Sequence, residues 1–408
     1  MEDQVKEIWN KTSRVGVRRD CSDDEKKQNL KKYFNILFGG RINFPSIVVA
    51  GSKGKGSTSA AIESILRAAG LKTFFFVSPH LILPTERFLI NGEKIENEKF
   101  IYLYNIIQKM LAENELEDPM MPCCSYLMAA YLVKKEKFDV AIIEVGIGGR
   151  LDWSKIFNPS ISVITHLEYE HTDFLGNTAY SIAWNKFGIV TKKSKNFSVN
   201  QTRPEFTEAL QKLQNESNRY LEIVQPFWKG ETGLKGPTAV INTSLAIEVA
   251  KYFLINFYQS QNNKIRIDIE KSIIEGAKNA NILGRFMKES INGINWMIDG
   301  AHTVDSVEIC YQWFLESGEK TKDTCLLCAV SKNRNANYVL STLLTKKWKR
   351  TIFVNSFHAD PPTNQENLEV YENPGEAIKS IINDAPKTVL VTGSLFIVSE
   401  VIKNLYKK

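Results

Sequence analysis

A chain of 408 residues is too long for one ordinary domain and suits two unequal compact units. With 43% hydrophobic and 24% charged residues it is composed like an average globular protein, which excludes collagenous, low-complexity and largely disordered chains. Its net charge of +6 is too mild, and its Lys and Arg too scattered, for a dedicated nucleic-acid binder.

The opening Met-Glu-Asp has neither the basic region nor the apolar core of a secretory signal, and no transit peptide is visible. No apolar run approaches the ~18 residues a membrane span needs. Six cysteines are scattered at positions 21, 123, 124, 310, 325 and 328. Cys325 and Cys328 have C-x-x-C spacing but sit in an apolar run with no second pair after it, so structural thiols are expected. These features predict a soluble protein of a reducing compartment, the cytoplasm, with no membrane partner.

A charged helical segment is expected first. Ile47-Val-Val-Ala50 is a strand by its β-branched content; a Gly-rich turn leads into a helix with Ile62, Ile65, Leu66 and Ala69 at i, i+3, i+4 and i+7. Further strands are predicted at Phe74–Val77, Val140–Ile143 and Ile161–Ile164. Their continuous apolar runs mean burial on both faces, hence a parallel sheet flanked by helices. Residues 191–240 are polar and poorly periodic and read as loops and short strands. Helices are expected at Ser244–Phe257 and Ile269–Ala277, and the pattern breaks around Asn281–Arg285. A second alternation follows, with strands at 296–298, 325–330, 351–354 and 389–392. Its helices are expected at 306–315, 337–344, 375–382 and at the end of the chain. The expected organisation is a domain of 1–280, a linker of 281–286 and an independent α/β unit of 287–408. Residues 287–408 carry 14 basic and 14 acidic residues, so the positive surplus belongs to the first 286.

The strongest local signal is Ala50-Gly-Ser-Lys-Gly-Lys-Gly-Ser-Thr58, between a predicted strand and a predicted helix. Glycines let the backbone curl so that several N–H groups face one anion, and the helix N-terminus adds its positive end. Gly54, Lys55, Gly56, Ser57 and Thr58 are the candidate phosphate contacts, Lys55 reaching β- and γ-phosphates. The match to G-x-x-x-x-G-K-[ST] is incomplete, with Val49 where the first Gly belongs and Gly56 after the lysine. A solvated Gly/Ser turn is the plain alternative; the strand before and helix after favour phosphate.

This loop resembles the ATP loop of the Mur-ligase superfamily, in its folylpolyglutamate synthase and dihydrofolate synthase branch. Further stretches resemble the same branch: Val77-Ser-Pro-His-Leu81 with Glu86-Arg-Phe-Leu-Ile-Asn-Gly92, and Ile143-Glu-Val-Gly-Ile-Gly-Gly-Arg-Leu-Asp152. His171-Thr-Asp-Phe-Leu-Gly176, Ile182-Ala-Trp-Asn-Lys-Phe-Gly-Ile189, Leu283-Gly-Arg285, Asp299-Gly-Ala-His302 and Val391-Thr-Gly-Ser-Leu395 follow in the family's order. The ordered set, from 51 to 395, is far more specific than any one stretch. Lys53 and Met121-Pro122 resemble the eukaryotic members. The resemblance implies an α/β fold: a large N-terminal P-loop domain with a mostly parallel sheet flanked by helices, plus a smaller Rossmann-like C-terminal domain.

It also implies roles. Ser78, Glu144 and His171 would hold Mg²⁺, an ion that prefers hard oxygen ligands. Lys186 corresponds to a lysine that the family carbamylates, turning a cation into an oxygen ligand. Lys55, Lys186 and His171 form the catalytic set. Asn242, Arg285, Asp299 and His302 would join the loop in contacting nucleotide, arginine pairing with phosphate and aspartate accepting from ribose hydroxyls. Each has an ordinary reading beside this one. Glu144 suits a strand-end salt bridge, His171 a polar loop, Ser78 a turn or cap, Lys186 a solvated or snorkelling helix face, Arg285 a linker ion pair and Asp299 a helix cap.

Three departures from the family pattern stand out. Glu170 replaces Asp before the histidine, Pro237-Thr-Ala-Val-Ile-Asn242 keeps only Asn242 of His-Gln-x-x-Asn, and Ala329–Arg334 keeps only the arginine of Gly-Asp-Arg. The expected activity is ATP-dependent addition of L-glutamate to the γ-carboxylate of reduced folates through an acyl phosphate. ATP and Mg²⁺ are the expected cofactors, with a monovalent cation such as K⁺ as a further candidate. Partners are small molecules only, with no nucleic acid, and the chain is expected to be a monomer. Dihydrofolate synthase is the nearest rival, a non-catalytic nucleotide- or folate-binding remnant the rival of another class, and a peptidoglycan-precursor ligase more distant.

Overall fold

A computed structural model of the chain describes residues 1–13, 22–259, 267–330, 336–355 and 368–406. The chain divides into two compact units, Met1–Leu234 with Thr238–Asn281, and Lys235–Pro237 with Ile282–Lys408.

In the first unit, α1 (Glu2–Ser13) and α2 (Asp23–Phe38) precede β1 (Ser46–Ala50). Next come α3 (Lys55–Ala68), β2 (Thr73–Phe76), β3 (Phe88–Ile90), β4 (Glu93–Lys94), α4 (Asn97–Glu113) and α5 (Met121–Lys135). β5 (Val140–Glu144), β6 (Ile161–Ile164), α6 (Thr172–Leu175) and α7 (Ala179–Lys186) lead to β7 (Lys195–Val199). α8 (Pro204–Ser217), β8 (Glu222–Val224), α9 (Ala239–Phe253) and α10 (Ile269–Asn279) complete the unit.

Its sheet runs β4-β3-β2-β5-β1-β6-β7-β8. From β2 to β8 in that order the strands pair in parallel, and only the edge pairings β2–β3 and β3–β4 are antiparallel. β1 is buried at every position, as its unbroken Ser46-Ile-Val-Val-Ala50 run requires of a central strand covered on both faces. Its neighbours are β5 on one side and β6 on the other, so the carboxyl ends at Ala50, Glu144 and Ile164 lie side by side where the strand order reverses. Open α/β sheets bind ligands at such a point.

α3 leaves this point and is clasped by α9 and α10. At the α10 crossing a Cβ on Gly276 would come within 2.3 Å of the Ile65 Cα, so only glycine allows the approach. Gly276→Ala is expected to destabilise the protein by roughly 1–3 kcal/mol through overpacking, read as a drop in melting temperature.

The second unit contains β9 (Met287–Ile291), β10 (Ile294–Ile298), α11 (Val304–Glu316), β11 (Thr324–Cys328) and α12 (Ala336–Leu344). It continues with β12 (Arg350–Val354), β13 (Leu368–Tyr371), α13 (Pro374–Asp384), β14 (Thr388–Thr392) and α14 (Leu395–Leu405). The sheet order is β13-β12-β11-β14-β10-β9, parallel but for β9. A buried cluster around Met297, Phe314, Leu326, Phe353 and Leu390 forms its core.

The α/β architecture matches the expectation; some elements do not. The stretch 191–240 contains a full helix, α8, whose buried Phe206, Ala209, Leu210 and Leu213 fall at i, i+3, i+4 and i+7. Charged and amide residues fill the rest of its surface and mask that stripe in composition. β9 and β13 were not expected either: both are edge strands with alternating or half-exposed residues, so neither forms an apolar run. Cys123, Cys124, Cys310, Cys325 and Cys328 are free thiols, while Cys21 lies outside the described residues. Among the described residues, no helix is long and apolar enough to cross a membrane.

Candidate active site

The turn from β1 into α3 requires glycine twice. Gly51 has φ of 151° and a Cβ there would lie 1.9 Å from Thr165 Oγ1; Gly54 has φ of 86° and its Cβ would meet Asn242 Oδ1 at 2.5 Å. The loop is fastened to the segment after β6: Ser52 N and Lys53 N donate to His166 O at 2.7 and 3.1 Å, and Ser52 Oγ to Glu168 O at 3.0 Å. α3 starts at Lys55, so Gly56 and Ser57 sit in its first turn, where amides lack an intrahelical acceptor and the helix end is positive. Thr58 is fully buried and its hydroxyl donates to Asn242 Oδ1 at 3.4 Å, while Asn242 Nδ2 donates to Thr238 Oγ1 at 3.3 Å. These two residues join α9 to the loop.

Two ammonium groups converge on the Gly51 carbonyl. Lys55 Nζ donates to it at 2.9 Å and to Ser52 O at 3.1 Å, and Lys186 Nζ donates to it at 2.7 Å from the end of α7. Lys186 is 1% exposed, which corrects the reading of a solvated or snorkelling lysine. Packing of α7 turns it inward, and the counter-charge that permits this is Glu170, whose Oε1 accepts from Lys186 Nζ at 3.1 Å and lies 4.0 Å from Lys55 Nζ. Burial alone would raise the Glu170 carboxyl; Lys55, Lys186, Lys53 and His171 outweigh it and bring it down to about 2. Burial lowers Lys186 to about 8, with Glu170 opposing. Both partners are therefore ionised at neutral pH.

Glu170 did not figure among the sequence-derived candidates, although its place beside His171 marked it as a departure. Its lowered pKa stabilises the fold fully above the ordinary carboxyl value near 4.5, and the contribution is lost as pH falls toward about 2. Glu170→Gln leaves two lysines without their carboxylate and is expected to cost about 3–5 kcal/mol. Thermal melts from pH 7 to 2 check it: the gap between wild type and variant should close toward acid.

On the adjacent strand ends, Ser78 follows β2 and Glu144 ends β5. Ser78 N donates to Glu144 Oε2 at 3.0 Å, and Tyr126 Oη donates to the Glu144 carbonyl at 2.9 Å. Glu144 is 4% exposed. His171 opens α6 with φ of 50°, next to Glu170. Among the described residues no group of three or more His, Cys, Asp or Glu is placed to hold a metal ion. One buried carboxylate held by the Ser78 backbone N–H still fits Mg²⁺, which keeps several waters and is commonly bound by one or two carboxylates plus substrate phosphates.

Arg285, Asp299 and His302 lie in the second unit. Asp299, 3% exposed at the end of β10, accepts from Phe286 N at 3.0 Å through Oδ2 and from Ala301 N at 2.9 Å through Oδ1. It braces the turn and is not the cap of α11, which is Thr303. His302 Nδ1 shares a hydrogen bond with Gly300 O at 2.9 Å, and Arg285 Nη1 would be 3.4 Å from a Cβ on Gly300. The three residues thus gather around one turn. Arg334 lies outside the described residues.

Residues 49–225 match the Mur ligase middle domain family. The folylpolyglutamate synthase of Saccharomyces cerevisiae is 30% identical over 397 residues, an alignment that covers 88% of this chain and 72% of that protein. The chain belongs to the folylpolyglutamate synthase family. The family's Arabidopsis thaliana member is 33% identical over 314 residues, 69% of this chain and 50% of that one. Against several relatives of this family the chain spans about half their length, between 50% and 55%. In fold it is similar to the bifunctional folylpolyglutamate synthase/dihydrofolate synthase of Yersinia pestis, solved with AMPPNP and a Mn ion. The TM-score is 0.77 at 20% identity, covering 99% of this chain and 98% of that one.

Proposed function

We propose that the chain is an ATP-dependent ligase that adds L-glutamate to the γ-carboxylate of tetrahydrofolates, releasing ADP and phosphate. The observation that carries this reading is the cluster of Lys55, Lys186 and Glu170 under the Gly51–Thr58 loop, one strand away from the Ser78–Glu144 pair. The nucleotide analogue and Mn ion in the Yersinia pestis structure support ATP and a divalent metal for this chain too. We take that metal to be Mg²⁺, held by Glu144, Ser78 and His171; it would neutralise charge on the transferring phosphoryl group.

In this reading Lys55 and the first-turn amides of α3 hold the β- and γ-phosphates and stabilise charge that builds up in phosphoryl transfer. The folate carboxylate oxygen attacks the γ-phosphorus as the bond to ADP breaks, giving an acyl phosphate. The glutamate amine then attacks the acyl carbon, phosphate leaves, and the amine loses a proton. No side chain becomes covalently attached, so no nucleophile need be present. Glu170, bonded to Lys186 and 4.0 Å from Lys55, holds both side chains in place. Asn242, from unit one, and Arg285, Asp299 and His302, from unit two, are proposed as nucleotide contacts. K⁺ remains a candidate cofactor, and a monomer acting in the cytoplasm completes the proposal; the free thiols support a reducing compartment.

Extension of tetrahydrofolate is preferred over dihydrofolate synthesis because the eukaryotic relatives are named folylpolyglutamate synthases. The test is a Mg²⁺/ATP assay with labelled glutamate, offering tetrahydrofolate and dihydropteroate separately. Label on tetrahydrofolate supports the proposal, and label only on dihydropteroate transfers it to the rival. Folded protein that incorporates no label and forms no ADP rejects both.

A further inference from the structure

Three cations converge on the main-chain carbonyls on either side of Lys186, and a fourth braces the segment that carries one of them. Arg150 Nε donates to Trp184 O at 3.0 Å, Lys155 Nζ to Gly188 O at 3.0 Å and Arg219 Nη1 to Val190 O at 2.7 Å. Arg41 donates through Nε to Lys155 O at 2.5 Å and through Nη2 to Phe157 O at 2.7 Å. The carbonyls of 184–190 close α7 and the 3-10 turn after it, and a helix carboxyl end attracts cations. That attraction accounts for one N–H from each of three side chains.

It leaves most of the positive charge uncompensated. None of the four forms an ion pair with a carboxylate among the described residues; their hydrogen-bond partners are all main-chain carbonyls. Asp23 acts on Arg150 only from beyond ion-pair distance. Burial, and then Arg41, Arg150 and Arg219, lower the Lys155 amine to about 8, so the three guanidinium groups are within electrostatic reach of it. A guanidinium has five N–H donors, and here one or two of each are used. Two of the planes are fixed on aromatic rings, Arg150 over Trp184 at 3.8 Å and Arg219 over Phe187 at 5.3 Å. Of the four, Arg219 alone lines a cavity of about 560 Å³, together with Lys192, Lys195, Asn218 and the carboxylate-bearing Glu222. Arg41, Lys155 and Arg219 precede β1, β6 and β8, at the amino ends of the strands, whereas the phosphate loop lies beyond the carboxyl ends.

We propose that Arg41, Arg150, Lys155 and Arg219 form a second oxyanion site in the first unit, separate from the phosphate loop, for a ligand with several phosphate or carboxylate oxygens. Planar donor forks suit such groups, which can be gripped by two parallel N–H bonds. The site stands independently of the ligase reading.

Inorganic phosphate and tri-γ-glutamate are titrated separately against the full chain at constant ionic strength, following melting temperature and heat of binding. A saturable rise with one or both is expected in wild type and in Lys55→Ala alike, and the responding anion identifies the chemistry. Lys155→Gln and Arg219→Gln should each weaken that response at least about tenfold; Arg219, partly exposed, serves if the Lys155 variant does not fold. A response that disappears in Lys55→Ala but persists in Lys155→Gln and Arg219→Gln belongs to the phosphate loop and overturns the proposal. So does the absence of a saturable response to either anion.

Discussion

Lys55→Ala is expected to lower turnover by about 10²–10³-fold, the size of effect seen when one charge-stabilising donor is removed from a transferring group. The fold should survive. Lys55 makes its contacts to the loop carbonyls of Gly51 and Ser52, and Lys186 still holds the Gly51 carbonyl and the Glu170 carboxylate when Lys55 is gone. The loss should appear in the chemical step and in nucleotide affinity together. Single-turnover formation of ADP, beside far-ultraviolet circular dichroism on the same sample, measures both. A variant with near-normal rates would remove Lys55 from the site.

The second large effect is expected at Glu144. Glu144→Gln keeps the shape and an oxygen that can accept from Ser78 N, but removes the negative charge. Stabilisation of the transferring group by a divalent ion is worth several kcal/mol, so turnover should fall by at least about 10²-fold. Mn²⁺ binding in the presence of AMPPNP, followed by electron paramagnetic resonance, should weaken in parallel. If the metal bound as tightly to the variant as to wild type, the ion would have to be held elsewhere.

The phosphate loop was legible in the sequence because its signal is local: glycines, two lysines and hydroxyls in nine consecutive residues, framed by an apolar strand and an amphipathic helix. Central strands were legible for the same reason, since burial on both faces writes an unbroken apolar run. What was not legible is tertiary. Lys186 lies 135 positions from the carbonyl it holds, and nothing around Ile182–Ile189 announces that its side chain turns inward. Glu170 could be seen as an acidic neighbour of His171, but its hold on two lysines depends on how the segment after β6 folds back over β1. α8 was hidden by a polar surface, and edge strands β9 and β13 by the absence of any requirement to be apolar.

The Gly51–Ser52 peptide carries a consequence for how a ligand arrives. Its carbonyl accepts from two lysines and its N–H donates to His166 O, so both ends of the unit are committed within the protein itself. Immobilising a flexible loop on binding costs affinity through lost conformational freedom. Here that ordering occurs during folding, and an arriving anion meets a loop with little freedom left to surrender.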